Sequence, residues 1–426
     1  MRAPGQVIEI ARTLQQAGFE TWCVGGAVRD ALLGEAHLDW DLATAATPTQ
    51  VRKLFRRTVP VGIEFGTIGV LDRDNRMHEV TTFRRDVKTD GRHAVVEFGA
   101  SLNEDLARRD FTINAIAYDP IDHRLHDPFG GQIDLTRRVV RAVGEAESRL
   151  REDRLRALRA IRFAARFGFE IEHDTWQAIV RSAPFLTRLS PERVKQELEK
   201  TMEQVLAPST AFARWRDAGA FASVVPTLAH VADRTLRAID ALPRPGLPGR
   251  PLRKSLRLAA LFRDIEGRQV ERALRDLRFS KQEIATVSTL VERWGRYGPS
   301  LTASLASGSL PDDAELRRLA AGVGRLRVAA FVRLGAAHWS AADVVSPALV
   351  RRLHRRLLTI AFREPIELAD LAVDGDDLRR EGIATGPALG RILHALLQRV
   401  IEHPSRNTHH ALLEIARDLA SESETV

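Results

Sequence analysis

A single cysteine, Cys23, stands in 426 residues, so no intrachain disulfide can form. Its place in the short apolar run from Thr21 to Val24 makes it a small core residue rather than a nucleophile. No stretch approaches the ~20 consecutive apolar residues of a membrane span, so no membrane partner is expected. The opening residues Met-Arg-Ala-Pro-Gly-Gln carry no signal-peptide apolar core, and cytoplasm is the expected compartment. Only two tyrosines occur, which leaves no broad base-stacking platform of the kind single-strand binders use. Internal repeats and zinc-ligand spacings are also missing.

What is present is ordinary for a folded protein. Hydrophobic residues make up 44% and charged residues 28%, and the length allows two to four domains with real cores. The formal net charge is +8 and the sequence pI is near 10.2. That balance suits an anionic partner, nucleic acid above all. Most of the basic residues are arginines and lysines are few, a bias that an arginine-rich genome also produces, so charge alone decides nothing. Nothing in the sequence sets an oligomeric state.

Two short blocks organise the rest. Gly25-Gly26-Ala27-Val28-Arg29-Asp30 follows a short buried strand, Glu20 to Val24, and is followed by Asp39-Trp40-Asp41. The glycines free the backbone at a sharp turn. A helix follows from Ala27 to Leu33, with Gly34 placed to cap it. A helix start behind a glycine turn is an anion site. In a strand, residues i and i+2 share a face, so Asp39 and Asp41 would aim two carboxylates at one point. Carboxylates beside a phosphate cradle are a common way to hold Mg²⁺ with a nucleotide. The combination points to nucleotidyl or phosphoryl transfer. Alone, either block is as easily a plain turn or a chance Asp-x-Asp.

Residues 1–20 have the spacing of an amphipathic helix, and Thr47-Pro48 reads as an N-cap with proline at the first helical position. Val59 to Thr82 reads as β structure, with Asp72 to Arg76 as a hairpin loop and Met77 to Phe83 as the return strand. If that strand lies beside Asp-x-Asp, Glu79 is a third carboxylate on the metal side; otherwise it is a solvent-facing glutamate. Arg84 to Ala100 shows no periodicity and reads as a mobile polar loop. A helix is expected from Leu102 through Arg108, Arg109, Asp110 and Asn114 to Ile116. From Glu145 onward the chain reads as helical, with joints at Leu242 to Pro251 and at Gly298 to Asp313. Its first long helix carries Asp153, Arg156, Arg159 and Arg162 at three-residue steps, which is an ion-paired solvated ridge unless it faces a ligand. Gly382 to Gly390 is a glycine-rich turn opening a helix.

Taken together, these blocks resemble the class II tRNA nucleotidyltransferases, the CCA-adding enzymes, and their relatives the bacterial poly(A) polymerases. The resembling blocks are Gly25 to Asp30, Asp39-Trp40-Asp41, Gly66-Thr67-Ile68-Gly69-Val70, Glu79 to Arg84, Arg108 to Ala115, Asp127-Pro128-Phe129-Gly130-Gly131 and Glu152 to Arg156. They cover about the first 170 residues, and the likeness thins beyond. The resemblance implies an α+β protein: a polymerase-β-like nucleotidyltransferase head with a mixed sheet and helices at 1–140, then all-helical domains. These would be a neck with a base-reading helix at 141–205, a degenerate HD-like body at 206–300 and a tRNA-binding tail at 301–426. It implies tRNA, CTP and ATP as partners and two Mg²⁺ ions held by Asp39 and Asp41, with Glu79 beside them. Gly26, Arg29, Arg109 and Asp110 would contact triphosphate and ribose. Asp153 and Arg156 would read the base, with Arg159 and Arg162 alongside. Arg85, Asp86 and Arg92 would belong to the mobile loop.

The base-reading assignment also has its own physical basis. Cytosine and adenine each present an exocyclic amine donor next to a ring-nitrogen acceptor; guanine and uracil present a carbonyl acceptor next to a ring N–H. A carboxylate only accepts and a guanidinium only donates. Asp153 with Arg156 therefore matches C and A and leaves unpaired groups against G and U. Two departures refine the resemblance. Members with a working HD phosphohydrolase carry His-Asp where this chain has Arg263-Asp264, so that activity is not expected. The Gly-Arg-Arg-Phe block of poly(A) polymerases is replaced by Val61-Gly62-Ile63-Glu64-Phe65-Gly66-Thr67. Relatives that add only CC are shortened in the mobile loop, whereas this chain keeps Arg85, Asp86, Asp90 and Arg92. Full CCA addition is therefore expected; the alternatives are addition of A or CC alone, poly(A) synthesis, and a non-catalytic RNA-binding protein.

Overall fold

The computed structural model describes residues 1–35, 39–89, 94–243 and 251–423. The chain forms two units, Met1–Leu206 with Thr210–Ala229, and Ala207–Ser209 with His230–Val426. The first unit begins with helix α1 (Gly5–Gln16), which buries Val7, Ile10, Ala11 and Leu14 on one stripe. Strand β1 (Thr21–Val24), helix α2 (Gly26–Leu32), strand β2 (Asp41–Thr44) and helix α3 (Pro48–Leu54) follow. Thr47 caps α3 in a full capping box with Gln50. Next come β3 (Thr58–Gly62), β4 (Thr67–Leu71) and β5 (Met77–Thr82), then β6 (Arg84–Thr89), β7 (Ala94–Phe98) and α4 (Leu102–Ala107). Strands β8 (Ala117–Tyr118) and β9 (Leu125–His126) complete a seven-stranded mixed sheet in the order β3-β4-β5-β2-β1-β8-β9.

Helix α5 (Gly131–Arg137) and strand β10 (Val139–Val140) lead into helices α6 (Ala146–Glu152) and α7 (Leu155–Phe167). Strand β11 (Glu170–Ile171) then pairs in parallel with β10, so one short strand does occur beyond residue 145. Helices α8 (His173–Ser182) and α9 (Pro191–Gln204) come next. The sheet face carrying Val24 and Ala43 packs against Leu102, Leu106, Phe83 and Val143.

The sheet register positions the site. Cys23 pairs with Leu42 and Val24 with Asp41 across the antiparallel β1–β2 pair. Strand β5 does lie beside β2, in parallel, with Leu42 opposite Val80. One residue back on each strand, Asp41 and Glu79 therefore share the opposite sheet face on adjacent strands.

Three local expectations are corrected. Arg84 to Ala100 is not an irregular loop: β6 and β7 form an antiparallel hairpin in which Arg85 sits opposite Glu97, their side chains 2.8 Å apart. A cross-strand charge pair adds to such a ladder, and β6, Arg-Arg-Asp-Val-Lys-Thr, has no apolar alternation to reveal it. Arg92 lies outside the described residues, and Asp86 is described only as a β6 position opposite Val96. Second, α4 stops at Ala107, and only a 3₁₀ turn, Thr112–Asn114, follows.

Third, the joint expected from Gly298 to Asp313 is confined to 307–312, before the helix Asp313–Val323. A 26-residue helix, Lys281–Ala306, continues past Gly298 with Pro299 inside. Pro299 forgoes one intrahelical hydrogen bond, but the buried stripe of Val287, Leu290, Val291, Trp294, Leu301 and Leu305 continues across it. The expected boundary at 300 falls within this helix. The second unit is helical throughout its described residues, and no helix among the described residues is long and apolar enough to cross a membrane.

The second unit also holds the neighbouring pair Arg263 and Asp264. The Arg263 side chain is 2% exposed and donates to Asp264 at 3.0 Å, with His338 and Thr235 as further neighbours. Burial and the Arg263 charge together push the His338 pKa down to about 4. His338 is therefore neutral at physiological pH, and the guanidinium is the local cation.

Candidate active site

Strand β1 delivers the chain into Gly25, whose φ of 79° and ψ of −140° suit glycine alone. A Cβ there would lie 3.2 Å from Arg109 Nη1 and 3.9 Å from Asp41 Oδ2, so the missing side chain lets these two charged groups approach the turn. Behind it opens a cleft of about 480 Å³. Gly25, Gly26, Arg29, Asp41 and Arg84 line one part of it, and Arg108, Arg109, Asp110 and Asn114 the next. Asp153, Arg156, Arg159 and Phe163 complete the lining.

Each charged group is held by a partner. Arg29 on α2 is 3% exposed, donates to Asp30 at 2.7 Å and to Asn114 at 2.5 Å, and lies over the Phe167 ring at 4.7 Å. Burial pushes its pKa down, and Asp30 opposes that shift. Asp105 on α4 is buried and takes Arg108 at 2.7 Å and Arg109 at 3.1 Å. Burial alone would raise its pKa, but the two guanidinium groups bring it below the usual carboxylate range. Arg109 Nε is buried and lacks an acceptor among the described residues, so an anion in the cleft would satisfy it.

Asp110 accepts from Asn114 Nδ2 at 2.9 Å and from Arg159 Nη2 at 2.7 Å. Burial pushes its pKa up, but Arg159 and Asn114 hold it low, so it stays a carboxylate that fixes Arg159 in the lining.

Asp153 and Arg156 are not an ion pair. The helix expected through them is broken: Asp153 is extended between α6 and α7, and its Oδ1 accepts the Leu155 N–H at 3.0 Å, which caps α7. Its Oδ2 meets Arg193 at 2.7 Å. Arg156 instead donates to Glu152 at 2.8 Å and to the Arg108 carbonyl at 3.0 Å. Each is thus positioned by a third party, and both line the cleft.

The family model described as "Poly A polymerase head domain" matches residues 21–141. The model for "tRNA nucleotidyltransferase domain 2" matches residues 347–416. The CCA-adding enzyme of Geobacillus stearothermophilus is 43% identical over 271 residues, which spans 62% of this chain but only 60% of that enzyme. The CCA-adding enzyme of Lactiplantibacillus plantarum is 35% identical over 419 residues, 96% of this chain and 95% of that enzyme.

This chain belongs to the CCA-adding enzyme family.

A solved structure of the Bacillus stearothermophilus CCA-adding enzyme in complex with CTP superposes on the chain with a TM-score of 0.73 at 31% identity, covering 99% of this chain and 98% of that one. The fold is accordingly a nucleotidyltransferase head with a mixed sheet, followed by helices.

Against that family frame, four of the expected site residues lie elsewhere. Asp39 is exposed and precedes β2, which begins only at Asp41, so strand alternation does not place it, and it is not part of the cleft lining. Glu79 is exposed on β5 and joins Asp41 through the register rather than through the lining. Arg85 is occupied by Glu97 and Glu104. Arg162 is corrected outright: its side chain is 4% exposed, and it is paired at 2.7 Å with Glu197, itself 1% exposed.

Arg162 is a structural residue because α9 presents a carboxylate to it 35 positions away. Replacing Glu197 by Ala strands that buried guanidinium, which should cost about 3–5 kcal/mol in unfolding free energy. Urea denaturation should read the loss.

Asp105 and Arg193 are positioning groups that sequence reasoning missed. Asp105 had a local signal, since Arg108 and Arg109 follow it by three and four residues; Arg193 had none. Among the described residues no group of three or more His, Cys, Asp or Glu side chains converges as a metal site. The donor chemistry still fits a hard divalent cation, because the acids at this end of the sheet offer carboxylate oxygens only. Nucleotidyl transfer of this family generally uses divalent metal ions.

Proposed function

We propose that this chain acts in the cytoplasm, adding CCA to the 3′ end of tRNA from CTP and ATP without a nucleic-acid template and releasing pyrophosphate. One observation carries the reading. A single cleft is lined by a strand-end carboxylate, Asp41, by anchored arginines, and by a carboxylate–guanidinium pair not spent on each other.

Asp39 and Asp41, with Glu79 beside them, would hold two Mg²⁺ ions, which when bound activate the RNA 3′-hydroxyl and neutralise triphosphate charge. Arg29 and Arg109 donate to the triphosphate, and their anchors on Asp30 and Asp105 keep them in place as it arrives. Asp110 holds Arg159 toward the nucleotide. Asp153 accepts the exocyclic amine of cytosine or adenine while Arg156 donates to the neighbouring ring nitrogen. Guanine and uracil reverse both groups and meet acceptor against acceptor and donor against donor.

Incubation with tRNA lacking its 3′ end, given CTP alone, ATP alone or both, tests this. Three added residues are expected with both nucleotides. A long A tail would make the chain a poly(A) polymerase; two added C residues, or a single A on a CC end, would make it a partial enzyme. No incorporation on this tRNA or on one already ending in CC would leave an RNA-binding protein.

A further inference from the structure

We propose that the open face of the head sheet beside Asp41 and Glu79 seats the last unpaired bases of the RNA acceptor strand, with Phe65 as the stacking residue. The inference rests on the proposed reaction and assigns its second substrate a place.

The register defines the surface. Val59, Gly69 and Glu79 stand in one row across β3, β4 and β5, and Asp41 follows on β2. Gly69 leaves a gap in that row. Met77 Sδ and Val61 Cγ2 close over it, at 2.6 and 3.0 Å from where a Cβ would sit. Both residues are 43% exposed. Phe65 is 48% exposed and packs on Gly62, with Cδ2 3.7 Å from that residue's notional Cβ. An apolar floor therefore runs from Phe65 through Val61 and Met77 and ends at two carboxylates. Contiguous exposed apolar surface with a charged rim marks a binding site more often than chance.

The chemistry selects the occupant. A base offers a flat apolar face at the end of a chain whose 3′-hydroxyl has to reach Asp41. The acceptor strand can run along the strands between two cationic ends: exposed Arg56, Arg57, Arg73 and Arg76 stand just beyond Met77, on the Glu79 side, and Arg84 stands at the other end beside Phe65, where the Gly66 carbonyl accepts from the Thr82 N–H. Arg84 links the two surfaces: it lines the nucleotide cleft and donates to the Phe65 carbonyl. A protein strand added to edge strand β3 would meet Pro60, which has no N–H to offer.

The test uses Phe65→Ala and Phe65→Trp with a tRNA minihelix ending in a single-stranded 3′ nucleotide. Phe65→Ala should raise KM for the RNA about tenfold, the scale of one lost base stack, with KM for CTP unchanged. Phe65→Trp should restore it. A 5-iodouridine at the RNA terminus should crosslink within residues 59–77 of the wild-type chain. If wild type incorporates CTP but Phe65→Ala leaves the RNA KM alone, or the crosslink maps elsewhere, the platform is wrong and the proposed function stands. If wild type crosslinks through this face yet incorporates nothing, the platform stands and the proposed function falls. A Phe65→Ala change in sedimentation with unchanged RNA KM would make the face a protein interface and overturn the inference.

Discussion

Asp41→Ala should reduce nucleotide incorporation by roughly a thousandfold. A carboxylate that holds a catalytic cation supplies several kcal/mol of charge stabilisation in the transition state, and each 1.36 kcal/mol is a factor of ten. Asp41 starts β2, paired with Val24 at the end of β1, and its Oδ2 lies against the Gly25 turn with Arg109 Nη1 close by. The other carboxylates in the cleft lining, Asp110 and Asp153, are held by Arg159 and Arg193. Because Asp41 is exposed, its loss should spare the fold, so circular dichroism and RNA affinity should stay near wild type while kcat collapses. Incorporation within tenfold of wild type would refute a catalytic Asp41.

The second large effect is on nucleotide choice. Exchanging the pair, Asp153→Arg with Arg156→Asp, should move preference from C and A toward G or U. Each unsatisfied buried partner costs about 1–3 kcal/mol, so two mismatched edges give roughly a hundredfold in selectivity. The exchange has side effects that the geometry specifies. The Leu155 N–H loses its cap, at about 1 kcal/mol, Arg193 faces a new like charge, and the Arg108 carbonyl loses its donor. Overall rate will therefore fall. The readout is the ratio of kcat/KM between nucleotides, in which positioning losses common to all four cancel. An unchanged CTP-to-UTP ratio would refute protein templating.

What the sequence made legible was local. The glycine turn, the α2 helix and the Thr47 cap follow from neighbouring residues, and the structure has them within a residue or two. The grouping of Gly26, Arg29, Arg109, Asp110 and Asp153 was legible through blocks whose order resembles a known family. The rest depended on partners distant in sequence. Glu197 turns Arg162 from a ligand candidate into a core ion pair, and nothing near Arg162 announces it. The β6–β7 pair hid because β6 is charged and polar with no apolar alternation, and only a polar stretch separates it in sequence from its partner strand. The break at Asp153 hid because its side chain serves as a cap, in a stretch otherwise rich in helix formers.

The Arg263 side chain in the helical second unit has a practical consequence. A guanidinium attached to the chain cannot be removed by a chelator, exchanged for a neighbouring element or lost by dilution. The corner of that unit where Asp264 sits thus carries its own permanent counter-charge, written into the gene. Under chelation Asp264 therefore keeps the same cationic partner.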